Sequence, residues 1–219
     1  MKHSKNQREV FTLSQLATTF NIEVQQNCDV LQDWLNATGT LNAIEQYLLN
    51  DIYQKTKKEG NYWNEEELKI EMIGFIFYIA SINTDNQIKV FYERTISASV
   101  DGHNLKVTAD CLVAKPLPFN EPAQPYYFLQ EYKKGRGETK DPEAQMLTAM
   151  LIAQQKNEHA IPIYGSYLFG SRWRFCTLVN KKYCQSRDYD ADEYDDLHSI
   201  VFIIRKLKEI ILEIVAKNT

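Results

Sequence analysis

No stretch of this 219-residue chain carries eighteen consecutive apolar side chains, and the opening Met1-Lys-His-Ser-Lys-Asn-Gln-Arg8 lacks a hydrophobic signal core. Neither a membrane span nor a secretory signal is expected, and the cytoplasm is the expected compartment. Cysteine is scarce, and Cys28, Cys111, Cys176 and Cys184 show no CxxC spacing. Three of them fall in or beside apolar strand-like runs, so reduced core thiols are expected rather than disulfides or a zinc site. The four histidines are scattered, without the HExxH pair of a helical zinc hydrolase. Basic charge is not in excess: the net charge of −4 argues against a broadly basic nucleic-acid coat, though not against a local groove. Repeats and low-complexity tracts are missing as well.

What is present suffices for one substantial core, since 44% of the residues are hydrophobic. Residues 1–60 read as an N-terminal helical extension, with two short helices over Phe11 to Leu35 and a third capped by Thr40, its apolar stripe Leu41, Ile44, Leu48 and Ile52. This part is expected to pack or to contact a protein partner, a second copy included. Residues 61–219 read as the main domain. Asn64 and Glu67 form a capping-box pattern, with Trp63 and Leu68 as the staple, ahead of a helix apolar nearly all round. Glu71 is the only charge in the apolar run from Ile70 to Ile82; it either favours the helix dipole on a solvated edge or serves a site. Two strand-like runs follow, joined at Asp101-Gly102-His103-Asn104, a hairpin signal looser than a two-residue turn. The proline-rich segment from Pro116 to Pro125 is expected outside any strand interior.

The most informative stretch is Tyr126-Tyr-Phe-Leu-Gln-Glu-Tyr-Lys133, a short apolar strand ending in Glu131 and Lys133. Residues two apart on a strand share a face, so these two side chains emerge together. The preceding run, Leu105 to Ala114, carries a lone carboxylate, Asp110, at its middle. If the two runs pair, Asp110 can face Glu131, and two carboxylates at one spot call for a cation. A hard divalent ion such as Mg²⁺ (or Mn²⁺) meets that need, with Lys133 placed to polarise a bound water. Downstream, Asp141-Pro142 opens another helix. Two strands meet at a Gly170-Ser171 turn, and a long amphipathic helix closes the chain. The acidic run from Asp188 to Asp192 resembles a calcium loop only superficially, and reads as acids leading into that last helix.

Helix, strand, strand with Asp, strand with Glu-x-Lys, helix, strand: this order over residues 64–180 resembles the PD-(D/E)XK, or restriction-endonuclease-like, nuclease superfamily. The resemblance implies an α/β fold with an αβββαβ core, a mixed central sheet flanked by helices, the N-terminal helical extension and a long C-terminal helix lying outside that core. It implies Asp110 and Glu131 as metal ligands, the Tyr132 carbonyl as a third, Lys133 as the catalytic lysine and Gln145 as the glutamine of the following helix. It also places Glu71 like the acidic residue that many members carry on the first core helix. The pattern departs at Ala109, where the family often has proline. The implied activity is metal-dependent hydrolysis of nucleic-acid phosphodiester bonds, DNA being the expected form, of the restriction, defence or repair kind. Lys134, Arg136, Lys140, Arg172 and Arg174 are the candidate phosphate contacts. Two readings compete: a buried Asp–Lys–Glu ion cluster without catalysis, and a retired nuclease fold that binds nucleic acid or protein as an accessory module.

Overall fold

The computed structural model describes residues 11–84, 86–135, 141–158 and 161–217. Its centre is an eight-stranded mixed sheet. β2 (Lys89–Val100), β3 (His103–Leu117) and β4 (Glu121–Lys133) form an antiparallel meander. The first turn is tight: Val100 pairs with His103, and Asp101 and Gly102 both have positive φ, 46° and 86°. The Asp-Gly signal therefore makes a two-residue turn, not the looser loop expected. The proline-rich segment also departs from expectation, because Pro116 and Pro122 face each other within the β3–β4 pair. They are tolerated there because the register shifts on either side of Ala114 break the regular ladder that proline would interrupt.

α6 (Pro142–Lys156) then crosses the sheet to β5 (Ile163–Phe169), which lies parallel to β4. Asp141 caps α6, accepting from the Glu143 and Ala144 N–H groups, and Pro142 fills the first turn, where no N–H is needed. The helix rides close over β5 because Gly165 lies beneath it. A Cβ there would stand 2.9 Å from Met146 Sδ and 3.1 Å from Met150 Sδ. β6 (Arg172–Val179) returns through the Gly170-Ser171 turn, and β7 (Lys182–Gln185) follows it antiparallel. The two-residue β8 (Tyr189–Asp190) flanks β6, and α7 (Tyr194–Lys217) ends the described chain.

Residues 11–62 join the same sheet and core as the rest of the described chain. Between α1 (Leu13–Phe20) and α2 (Asp29–Leu35), the three-residue β1 (Glu23–Gln25) joins the sheet edge parallel to β7. That alignment brings Cys28 beside Cys184, and the two are disulfide-bonded, with Cα atoms 6.5 Å apart. The expectation of reduced thiols holds for Cys111 and Cys176, which are free and buried. α3 (Ala43–Glu59) starts from a capping box of Asn42 and Glu45 rather than from Thr40. It buries Leu49, Ile52 and Thr56 and leaves Ile44 72% exposed. Arg205 of α7 fastens this region, donating to the Thr40 carbonyl at 3.0 Å and the Ile79 carbonyl at 2.9 Å.

Helices cover both sheet faces. One face is packed by α2, α3, α7 and the helix whose start Asn64 caps, around Trp34, Phe128, Trp173 and Ile204. That helix is compound: α4 (Glu65–Leu68) runs through a π turn (Lys69–Ile73) into α5 (Gly74–Ile79). It is not buried all round, since Ile70 and Tyr78 are 61% and 72% exposed. α1 and α6 cover the other face, with Leu16 and Met150 packed over Leu112 and Leu129.

Candidate metal and phosphate site

The sheet opens between β3 and β4 where the chemistry gathers. Their ladder runs inward only as far as Cys111 opposite Gln130. Past that pair, β4 keeps its partner on the β5 side, with Glu131 opposite Tyr167 and Lys133 opposite Phe169. The Tyr132 N–H donates instead to a side chain, reaching Asp110 Oδ2 at 2.9 Å. Asp110 thus takes over the ladder's role at the split and is held in place by it.

Lys133 Nζ donates to the Tyr132 carbonyl at 3.0 Å and lies 3.7 Å from Asp110 Oδ2. Its side chain is 6% exposed, and Glu65 Oε1 stands 3.8 Å from the ammonium on the helix side. Glu131 is wholly buried, no donor among the described residues reaches its carboxylate oxygens, and its side chain meets that of Asp110. Burial, and then the neighbouring Asp110 carboxylate, push Glu131 well above the usual carboxylate range, with Lys133 opposing. Burial also raises Asp110, partly offset by the Tyr132 N–H and Lys133. Gln145, in the first turns of α6, has a buried Oε1 with no partner among the described residues.

The structure brings Asp110, Glu131, Tyr132 and Lys133 together as the strand alternation requires. It does not bring Glu71. That side chain is 39% exposed and faces α3, 3.6 Å from Lys55 Nζ. The acid that the compound helix sends to the site is Glu65, at the first position after the Asn64 cap. Lys69 is a second residue that sequence reasoning misses. It bridges Glu66 at 2.9 Å and Glu93 at 3.1 Å, with its ammonium 5.7 Å from the Tyr132 ring centre. Glu93 interrupts β2 with φ 53° and adds negative potential that raises both Asp110 and Glu131.

Of the candidate phosphate contacts, Arg136 and Lys140 lie outside the described residues. Lys134 is exposed beside Lys133. Arg174 and Arg172 share the face of Glu131 and Lys133, because Glu131, Tyr167 and Arg174 are successive cross-strand partners, as are Lys133, Phe169 and Arg172. Two strand spacings separate the arginine backbones from β4, about 10 Å. Among the described residues no group of three or more His, Cys, Asp or Glu side chains converges as a metal site, so the acidic donors here are Asp110 and Glu131. No described helix is long and apolar enough to cross a membrane.

The burial of Glu131 has a consequence for pH. Its folded-state pKa lies above the unfolded value of about 4.3. The stability it contributes is therefore fully present below that value and is lost as pH rises through the folded pKa. In chelator, the melting temperature of wild type relative to Glu131→Gln should fall from acid toward neutral pH. A constant difference across melts over that range would show that Glu131 is not held protonated by its surroundings.

The chain matches no protein-family model and no curated protein.

Proposed function

We propose that the chain is a divalent-metal-dependent nuclease acting on nucleic acid, DNA in the first instance, on a restriction-endonuclease-like fold. The order of compound helix, β2, β3, β4, α6 and β5 supports the αβββαβ core. The observation that carries the proposal is Glu131: a fully buried carboxyl group that accepts from no donor among the described residues and has a second carboxylate, Asp110, as its polar neighbour. A buried acid left so poorly satisfied is a cost to the fold, and a ligand that uses both acids explains it.

The donor set suits a hard cation. Asp110 and Glu131 would hold Mg²⁺ or Mn²⁺, with the Tyr132 carbonyl supplying a neutral oxygen. When bound, the ion polarises the scissile phosphate and lowers the pKa of its water. Because a carboxylate ligand must be deprotonated and burial raises Glu131, uptake of the ion would weaken toward acid pH. The ammonium of Lys133, pinned by the Tyr132 carbonyl and by Asp110, orients the attacking water and stabilises charge developing on the phosphate oxygens. Glu65 fixes Lys133 from the helix side, and the Gln145 carbonyl oxygen is an acceptor for a positioned water.

Calorimetric titration with Mg²⁺ tests the assignment. Wild type should bind, Asp110→Asn should not, and Glu71→Gln should match wild type. Glu65→Gln should also match wild type in Mg²⁺ affinity and lose turnover instead, because Glu65 touches Lys133 and none of the ligands. Equal heats from wild type and Asp110→Asn would leave the carboxylates and Lys133 as a buried ion cluster only.

A further inference from the structure

The arginines that share the site's face are not bare. Asp190, directly opposite Arg172 in the β6–β8 pair, lies 3.5 Å from its Nε. Asp188 takes Arg174 in a fork: Arg174 Nε donates to Oδ1 and Nη2 to Oδ2. A third arginine, Arg187, is held the same way by the two oxygens of Asp196, at 2.7 and 3.2 Å. All three carboxylates come from residues 188–196, a segment with six acidic side chains. The Arg174 fork puts two anionic oxygens on one guanidinium, the arrangement a phosphate would present.

Resting on the nucleic-acid reading above, we infer that Asp188 and Asp190 are an internal stand-in for a nucleic-acid backbone, covering Arg172 and Arg174 and restraining binding until phosphates displace them. Displacement is feasible. Arg172 is 69% exposed against 30% for Asp190, and Arg174 36% against 49% for Asp188. Surface pairs of that exposure are weak and salt-sensitive. Nor must the arginine be lost once its acid leaves. Arg174 Nη1 also donates to Gln185 Oε1 at 3.0 Å, and Gln185 in turn accepts from the Tyr167 hydroxyl at 2.9 Å. Tyr167 is the cross-strand partner of Glu131, so the phosphate track is tied to the site by one strand. The β6–β8 backbone pairing holds Asp190 in register whatever its charge, and Asp188 directly precedes the paired Tyr189.

The test compares Asp188→Asn/Asp190→Asn with Glu121→Gln/Glu158→Gln, which changes net charge equally on exposed acids elsewhere. Binding of a short fluorescein-labelled DNA duplex is followed by anisotropy over a salt series with Ca²⁺ in place of Mg²⁺. The uncovered variant should bind several-fold tighter than both wild type and the control. Its log–log salt slope should steepen by roughly two, because each new phosphate contact adds about 0.9. Adding Arg172→Gln and Arg174→Gln should cancel the gain. Equal binding by the two charge-matched proteins overturns the proposal, and so does weaker binding by the uncovered one, which would make the acids organisers of the arginines. Mg²⁺-dependent cleavage by wild type, set against Asp110→Asn, reports separately on the nuclease reading.

Discussion

Lys133→Ala should lose about a hundredfold or more in turnover while keeping its fold and its affinity for Mg²⁺. The ammonium lies within ion-pair distance of Asp110 and bonds to the Tyr132 carbonyl, so it is aimed at two of the proposed ligands without being one. Removing one positioned electrostatic group from a reacting centre typically costs that much in rate, and the loss appears in kcat when the group acts only in the transition state. If Lys133 served only to neutralise Asp110 and Glu131, its removal would instead cost roughly 3–5 kcal/mol of stability, as for breaking a buried ion pair. Single-turnover cleavage and urea denaturation of the same preparation separate the two. A mutant with unchanged rate would remove Lys133 from the chemistry.

Trp34→Ala should destabilise the whole protein, not a detachable part of it. The indole is fully buried, donates to the Ile203 carbonyl at 2.8 Å and packs edge-on against Phe128, Tyr164 and Phe175. These neighbours belong to α7, β4, β5 and β6, so one side chain from residues 11–62 joins the central strands to the last helix. Large-to-small changes at such sites cost about 3–5 kcal/mol, and here the Ile203 carbonyl also loses a donor. At about 2–4 °C per kcal/mol for a chain of this size, the melting temperature should drop by roughly 6–20 °C in one cooperative transition. Loss of signal from α1 to α3 alone, with the remaining core intact, would contradict this integration.

Sequence patterns reach the site because they are local. Strand alternation alone puts Glu131 and Lys133 on one face, and the capping signals at Asn64, Asp141 and Asp101-Gly102 fall at observed element ends. Glu65 is not legible for a geometrical reason. Its place after the cap makes it look like an ordinary dipole acid, and the π turn over 69–73 inserts a wider turn that shifts the phase of everything beyond it. Glu71, inside that turn, is rotated away from where regular helical periodicity would put it. β1 is hidden by its length, three residues being too few to show a period of two. The Cys28–Cys184 bond spans 156 residues, so only the parallel pairing of β1 with β7 reveals it. The covering acids look in sequence like a lead into α7, because nothing local pairs Asp188 with Arg174.

That Asp110 and Glu131 form a hydrolytic metal site is tested most directly by cleavage. Wild type and Asp110→Asn are incubated with a mixed panel of DNA and RNA in Mn²⁺, with a chelator control. The expected result is phosphodiester cleavage by wild type that stops in chelator and falls to background in Asp110→Asn. Cleavage that survives Asp110→Asn undiminished, or a folded wild type that cleaves nothing on the panel, would contradict it.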